Sequence, residues 1–370
     1  MPYTVGHPVQ SPSDFYGRVR QIAQLFETIG GAHPQSANVI ALPRSGKTSF
    51  LRQIAHPSVM VRHVRQPERL VMVYVDMASS KTPGQFYYRI LTQLKMSLGQ
   101  VHTGFLWKES PPEQTSIYDV EAFLCHFPLH RIVLLLDDFD ALHTDTFDRR
   151  FLTELRAMTS VNDYDLVCVT TTRTDLHQIS SRVGLPATSP FFNIFSPTPI
   201  YLAEVETAVI DPLITQPALQ AGLPFSAADV QQIQRLAGTL PFMLQLTAAR
   251  WLYHKRLDGS PDAGVVQTQL VAELSPCFSQ WWAQFDACQQ QLLTELAAAR
   301  PISCSPFSHF TIAEAERRLR QLGVVVDRRR GTAVNGGIFA TWVRQQTAVP
   351  LHEMADAIRD TAVTPAFFST

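Results

Sequence analysis

Gly46, Lys47 and Thr48 stand in a row, and together they carry the means to hold a polyphosphate. Glycine lets backbone N–H groups close on an anion, the lysine ammonium neutralises it, and the threonine hydroxyl can ligate a divalent cation. The stretch Ala41-Leu42-Pro43-Arg44-Ser45-Gly46-Lys47-Thr48 fits the phosphate-loop pattern GxxxxGK[ST] except at its first position, where Ala41 stands for Gly. That position opens the turn, so a small Cβ is accommodated if its φ stays negative. Arg44, Ser45, Gly46, Lys47, Thr48 and Ser49 are the expected cradle, with ATP or ADP and Mg²⁺ as the expected ligands.

A second group complements the first. Ile132-Val133-Leu134-Leu135-Leu136 is an apolar run that ends in Asp137-Asp138. Asp137 is expected to hold Mg²⁺, directly or through water, completing the shell that Thr48 begins. Asp138 stands where many ATPases place a Glu that orients the attacking water. Being one methylene shorter, it predicts slow turnover. Val169-Thr170-Thr171-Thr172-Arg173 closes the next apolar run, and Arg173 is read either as a cation that senses the γ-phosphate or as a surface charge.

These groups need a scaffold that brings several chain segments to one edge. From Val39 to Arg173, apolar runs alternate with helical stretches, the pattern of a parallel sheet covered by helices. Strands are expected at Ala37–Leu42, Leu70–Asp76, Ile132–Asp137 and Asp165–Thr171. Helices are expected at Lys47–Ala55, Gly84–Leu98, Ile117–Phe127 and Asp148–Thr159. Ser181–Pro199 reads as an irregular connection. Helical periodicity resumes at Glu204–Ile214, Ser226–Ala237 and Pro241–His254, and Ser226 with Asp229 forms a capping box. Leu257–Gly264 reads as a linker. Phe285–Ala299, Thr311–Leu322, two short strands about an arginine-rich turn, and Ile338–Gln346 follow, in the order of a small winged helix. The expected fold class is α/β: a P-loop NTPase core over residues 1–200, a helical domain over 201–264 that the resemblance described below makes a lid, a winged-helix domain over 265–350 and a tail over 351–370.

The composition excludes several alternatives. The formal charge of -1 in 370 residues argues against coating nucleic acid through net charge. Five scattered cysteines without a CxxC pair disfavour a disulfide framework or a zinc site and fit a reducing cytoplasm. No signal peptide opens the chain and no apolar run is long enough to span a bilayer.

Beyond the phosphate loop, four short segments resemble the STAND and AAA-like ATPases. Phe15-Tyr16-Gly17-Arg18 is similar to their F-x-G-R entry motif, which implies that Phe15, Gly17 and Arg18 lie near the adenine. Asp137-Asp138 followed by Thr171-Thr172-Arg173 resembles the paired DD and TTR of the NB-ARC and STAND NTPases. Gly238-Thr239-Leu240-Pro241 resembles the lid motif whose proline packs on the nucleotide, which implies that role for Pro241. The segments at Arg150–Arg156 and Ser189–Phe195 are similar to the stretches that flank the sensor strand. The resemblance spans Phe15 to Gln346 and implies a nucleotide-driven switch that assembles or binds a partner protein, in signalling or defence. Two departures are Ala41 and the lack of an MHD motif in the last domain.

Some cations stay open between two uses. Arg149 or Arg150 reads as an arginine finger or as a solvated helix start, and Arg250 as a second sensor or an exposed charge. Arg317, Arg318, Arg320, Arg328, Arg329 and Arg330 cluster on the last helix and wing, against Glu314, Glu316 and Asp327. They suit duplex DNA, as in a replication or transposition regulator, or else belong to an internal latch. Trp281, Trp282 and Trp342 read as packing. A third reading is a nucleotide-binding scaffold with little hydrolysis.

Overall fold

Five apolar runs pair into one parallel sheet, and three of them, Ala37–Ile40, Arg131–Asp137 and Asp165–Thr172, are buried on both faces, which helix-covered strands allow. The strands are β1 (Ala37–Ile40), β2 (Leu70–Asp76), β3 (Arg131–Asp137), β4 (Asp165–Thr172) and β5 (Ile200–Tyr201), in the order β2-β3-β4-β1-β5. In this computed structural model the described residues are 2–98, 111–142, 145–302, 306–329 and 331–348. The chain divides into two units, Thr4–Val209 and Ile210–Thr370 with Met1–Tyr3.

Alternation along β3 sorts the core of the first unit. Ile132, Leu134 and Leu136 face one apolar cluster, while Val133 and Leu135 face the other. The first cluster is closed by α4 (Pro83–Leu98), α5 (Ile117–Leu124) and α6 (Arg149–Met158). The second is closed by α1 (Val19–Gly30), α2 (Lys47–Ile54) and α3 (Pro57–His63). Helix α1 buries Ile22, Leu25, Phe26 and Ile29, the spacing of one helical face. Because β4 lies between β1 and β3, the phosphate loop and the Asp137 strand end flank the end of β4. The sheet register aligns Asp76 with Asp137, Leu136 with Thr170, and Ile40 with Thr172.

The expected strands and helices of this unit are present, with shifted ends. Strand β1 stops at Ile40, since Leu42 turns to accept from Ser45 N at 3.1 Å. Helix α5 ends at Leu124 instead of Phe127, because His126 N and Phe127 N bond three residues back and tighten the turn. The stretch expected to be irregular begins inside α7 (Leu176–Arg182) and holds a 3₁₀ turn at Pro190–Ile194.

Helix α8 (Thr207–Gln220) begins after the expected Glu204 and ends beyond the expected Ile214. The second unit continues with α9 (Ala227–Ala237), α10 (Pro241–Asp258), α11 (Ala263–Trp282), α12 (Ala287–Ala297), α13 (His309–Gln321), the antiparallel hairpin β6 (Val325–Arg328) with β7 (Gly331–Val334), and α14 (Gly337–Ala348). The capping box is formed: Ser226 N donates to Asp229 Oδ2 at 2.8 Å and Asp229 N to Ser226 Oγ at 3.2 Å. The expected linker shrinks to Gly259–Asp262, and α11 fills the stretch that follows. Asp262 caps it by accepting from Gly264 N and Val265 N at 2.7 and 2.9 Å.

Aromatic packing holds the end of α11 to α14. Phe278, Trp281, Phe339 and Trp342 form one buried group, with Phe278 and Phe339 centroids 5.0 Å apart. Trp281 and Trp342 are thus packing residues, as their apolar context predicts. Buried Asn335 links three segments: it accepts from Thr239 N at 3.0 Å and donates to Thr239 Oγ1 at 2.9 Å and Gly323 O at 2.7 Å. Among the described residues no helix is long and apolar enough to cross a membrane. Cys125, Cys168, Cys277 and Cys288 are free thiols, and burial pushes that of Cys168 up to about 12.

Candidate functional site

The C-terminal ends of β1, β3 and β4 carry the residues that the sequence singles out. Loops at this edge of a parallel sheet are the ordinary seat of a ligand. Gly46, with φ of 89°, precedes α2, and a Cβ placed there meets nothing within 4 Å. The loop therefore opens onto free space above its own backbone, the cradle a phosphate requires. Ala41 is absent from the residues with positive φ, and its N–H donates to Thr172 O at 3.0 Å. The missing glycine is thus accommodated by an ordinary backbone conformation.

Four polar groups meet at Asp137, which is 3% exposed. Thr48 Oγ1 and Tyr74 Oη both donate to Oδ2, at 2.6 and 2.8 Å. Thr171 Oγ1 and Asp138 N both donate to Oδ1, at 2.6 and 3.1 Å. A carboxylate held by hydroxyls, with a threonine of the phosphate loop on one oxygen, is a hard-oxygen set of the kind Mg²⁺ takes. Burial and the neighbouring Asp137 raise the Tyr74 phenol well above its ordinary value, so it remains a donor. Tyr74 was not foreseen. Its alternation in β2 marks it only as half-buried, and nothing local in sequence pairs it with Asp137.

Lys47 is buried, and its Nζ lies 3.3 Å from Asp138 Oδ1. Asp138 adopts a left-handed φ of 49° and its N–H also donates to Thr171 Oγ1 at 2.9 Å. Arg173 reaches away from this pair: its Nε is ion-paired to Asp140, which is 9% exposed. Ser45 is buried, Arg44 is exposed with φ of 65°, and Ser49 Oγ accepts from Val9 N at 3.1 Å.

The Phe15–Arg18 segment does reach the loop. Phe15 packs on the apolar cluster under α1, and buried Arg18 directs Nη2 at Ser45 O, 3.4 Å away. Its Nη1 is buried without a hydrogen-bond partner. Burial pulls this guanidinium down to about 10 against the opposing pull of Glu206 and Glu204, so it stays charged at neutral pH. Glu206 fixes the turn before α1 by accepting from Arg18 N at 2.8 Å and Val19 N at 3.0 Å. Burial acts to raise the Glu206 carboxyl, and backbone N–H donors outweigh it, leaving the group below the usual range. Gly17 has φ of 74°, and a Cβ there would sit 2.5 Å from Glu206 Oε2. Glu206 was also not foreseen, since it is far from Arg18 in sequence.

Several other named cations are engaged elsewhere. Arg150 pairs with Glu154 on its own helix at 2.8 Å and Arg149 is exposed. Arg250 holds Glu273 through two bonds of 2.9 Å. Pro241 opens α10 in the second unit. Arg317 pairs with Glu314 at 2.5 Å, and Arg320 with Glu316 and Asp327 at 2.7 and 2.9 Å. Arg318 is half-buried, Arg328 and Arg329 are exposed, and Arg330 lies outside the described residues.

A model of the family described as Novel STAND NTPase 1 matches residues 9–303, most of the chain, including every element of the loop and of the Asp137 edge. The chain belongs to the Novel STAND NTPase 1 family. Among solved structures, this STAND protein is similar to a Walker-type ATPase of Pyrococcus abyssi, at 13% identity and a TM-score of 0.61, covering 93% of this chain and 100% of that one. It is also similar, at 13% identity and a TM-score of 0.49, to Cdc6p of Pyrobaculum aerophilum, over 93% and 98% of the two chains. No curated protein matches it in sequence. The family and the fold together make this STAND chain a P-loop nucleotide-binding NTPase.

Proposed function

We propose that this chain is a Mg²⁺-dependent ATPase that turns over slowly and uses its nucleotide state to govern assembly or the binding of a partner protein. The observation that carries this reading is the meeting of Lys47-Thr48 with Asp137-Asp138: Thr48 Oγ1 is 2.6 Å from Asp137 and Lys47 Nζ is 3.3 Å from Asp138. Thr48 and Asp137 are the residues that would hold Mg²⁺, which when bound neutralises charge between the β- and γ-phosphates. Lys47 would neutralise the phosphates, backbone N–H groups from Arg44 to Ser49 would cradle them, and Arg18 would supply a second buried cation beside the loop.

Slow turnover is supported by the two engaged residues. Asp138 orients water only after Lys47 exchanges its carboxylate for phosphate, and Arg173 reaches a γ-phosphate only after leaving Asp140. Three of the four non-glycine residues with positive φ among those described, Arg18, Arg44 and Asp138, belong to this neighbourhood. Such conformations cost about 1–3 kcal/mol each and gather where a function needs them. Cytoplasmic signalling or defence is the expected setting.

The test is phosphate release together with solution mass. Wild type should release phosphate above a Lys47→Ala control, and its mass should change between ADP and a non-hydrolysable ATP analogue without DNA. Nucleotide binding with no release above that control would leave the scaffold reading in place. Duplex DNA binding would fall mainly to Arg318, Arg328, Arg329 and Arg330, since Arg317 and Arg320 are already ion-paired. A mass change that appears only with duplex DNA would favour that regulator.

A further inference from the structure

The opposite end of the same sheet carries a feature that the nucleotide reading leaves unused. The starts of β2, β3 and β4 floor a groove of about 870 Å³, walled by α1 and by the two segments Arg62–Leu70 and Pro128–Arg131. Four arginines line it (Arg62, Arg65, Arg69 and Arg131) against two carboxylates, Glu27 and Asp165. In a chain with a formal charge of -1, this is a local concentration of positive charge.

The four arginines divide by role. Arg131 is part of the frame: Nε bonds Asp165 at 2.6 Å, and Nη1 bonds Ile29 O and Gly31 O at 3.0 Å each. That pairing also neutralises Asp165. Arg62, Arg65 and Arg69 are exposed and make no ion pair among the described residues, so their guanidinium groups are available to an anion. Nearby Glu68 is exposed and outside the lining. Three free cations within eight residues match carboxylates or phosphates, and the apolar lining decides between them. Leu129 is 68% exposed and lines the groove with Pro128. These are contacts that apolar side chains use and a sugar-phosphate backbone does not. Phe26 of the lining is 4% exposed and stacked on His63 at 4.9 Å, so its ring offers no open face to a base.

We infer that this groove is a docking site for an acidic peptide segment of a partner protein, with apolar residues interspersed among its carboxylates. Arg62, Arg65 and Arg69 take the carboxylates and Leu129 takes an apolar side chain. Strand β3 runs seven residues from Arg131 to Asp137. At ~3.3 Å per residue that separates groove and phosphate loop by about 20 Å, so the two sites do not compete.

The experiment uses the full chain and fluorescence anisotropy of a labelled Glu-Glu-Leu repeat peptide, the same repeat with Ser for Leu, and a single-stranded DNA of equal charge. The Glu-Glu-Leu peptide should bind best, with an affinity that falls as salt rises. The triple variant Arg62→Glu, Arg65→Glu, Arg69→Glu should weaken it at least about tenfold, as like charges then face each other. Leu129→Ser should weaken it several-fold, and Lys47→Ala should leave it unchanged, which separates this site from the nucleotide reading. Should the triple variant misfold by circular dichroism, Leu129→Ser and the single arginine variants carry the same comparison. Absence of peptide binding by wild type, or binding indifferent to these substitutions, overturns the inference. DNA that binds better than the peptide and is lost with the arginines overturns it in favour of nucleic acid.

Discussion

Lys47 and Asp138 are ion-paired at 3.3 Å, so the cation expected to hold phosphate and the carboxylate expected to orient water occupy each other. Lys47 is largely buried while the Asp138 side chain is 46% exposed, which lets Asp138 swing away more easily than Lys47. On the proposed function, the exchange of Lys47 from carboxylate to phosphate would be a step that nucleotide binding drives.

Asp138→Asn separates the two roles of that pair. It removes the charge that competes for Lys47, so a fluorescent ATP analogue should bind as tightly as to wild type or more so. Phosphate release should drop by about 10²-fold, the lower end of what a positioned base contributes. Equal release by both proteins would remove Asp138 from the chemistry.

Tyr74→Phe deletes one donor to Asp137 and leaves the ring in place. A cost of about 1.5–3 kcal/mol in urea unfolding is expected, the net worth of a hydrogen bond to a charged group. A concurrent shift in the Mg²⁺ concentration that supports half-maximal phosphate release would show that Tyr74 sets the position of the Asp137 oxygen. An unchanged midpoint in both measurements would make the bond incidental.

The two glycines of the site should fail differently. Gly17→Ala puts a Cβ against Glu206 Oε2 in a left-handed conformation, so it should lower stability by roughly 1–3 kcal/mol. Gly46→Ala bears the strain of its left-handed φ but meets no neighbour, so it should cost less stability than Gly17→Ala while abolishing nucleotide binding by filling the cradle. Melting temperature and nucleotide titration, read side by side, distinguish them.

Asp229 predicts an acid sensitivity of the second unit. Burial acts to raise its pKa, but Lys255, Trp251 and Ser226 outweigh it and bring it from the ordinary 3.8 to about 2. A folded-state value below the unfolded one stabilises the protein above the unfolded pKa. The contribution is therefore full above about pH 4 and lost as pH falls from about 4 towards 2. Urea midpoints across that window should fall less steeply for Asp229→Asn than for wild type.

Local signals carried most of what the sequence reveals. Gly46-Lys47-Thr48, the apolar run into Asp137-Asp138 and the Ser226–Asp229 box are each contiguous or within one helical turn, so they can be read without a fold. Tyr74 and Glu206 depend on strand register and on a return of the chain from a distant position, which no short pattern encodes. Helix α11 hid for another reason. Gly264 and Pro276 break its appearance as a helix, yet Val266, Leu270, Leu274, Phe278 and Trp281 keep helical spacing and lie buried. Arg173 shows the converse: its place after β4 was correctly anticipated, but its partner Asp140 comes from the turn after β3.

The aromatic group that joins α11 to α14 also divides the chain optically. Trp251, Trp281, Trp282 and Trp342 all fall in the unit that begins at Ile210, and Trp107 is the fifth tryptophan of the chain. A Trp107→Phe chain would emit from the helical half alone, while a fluorescent nucleotide would report from the half that carries Lys47. Each half then has its own colour, and whether they melt as one body or in succession becomes a question of comparing two curves from one sample.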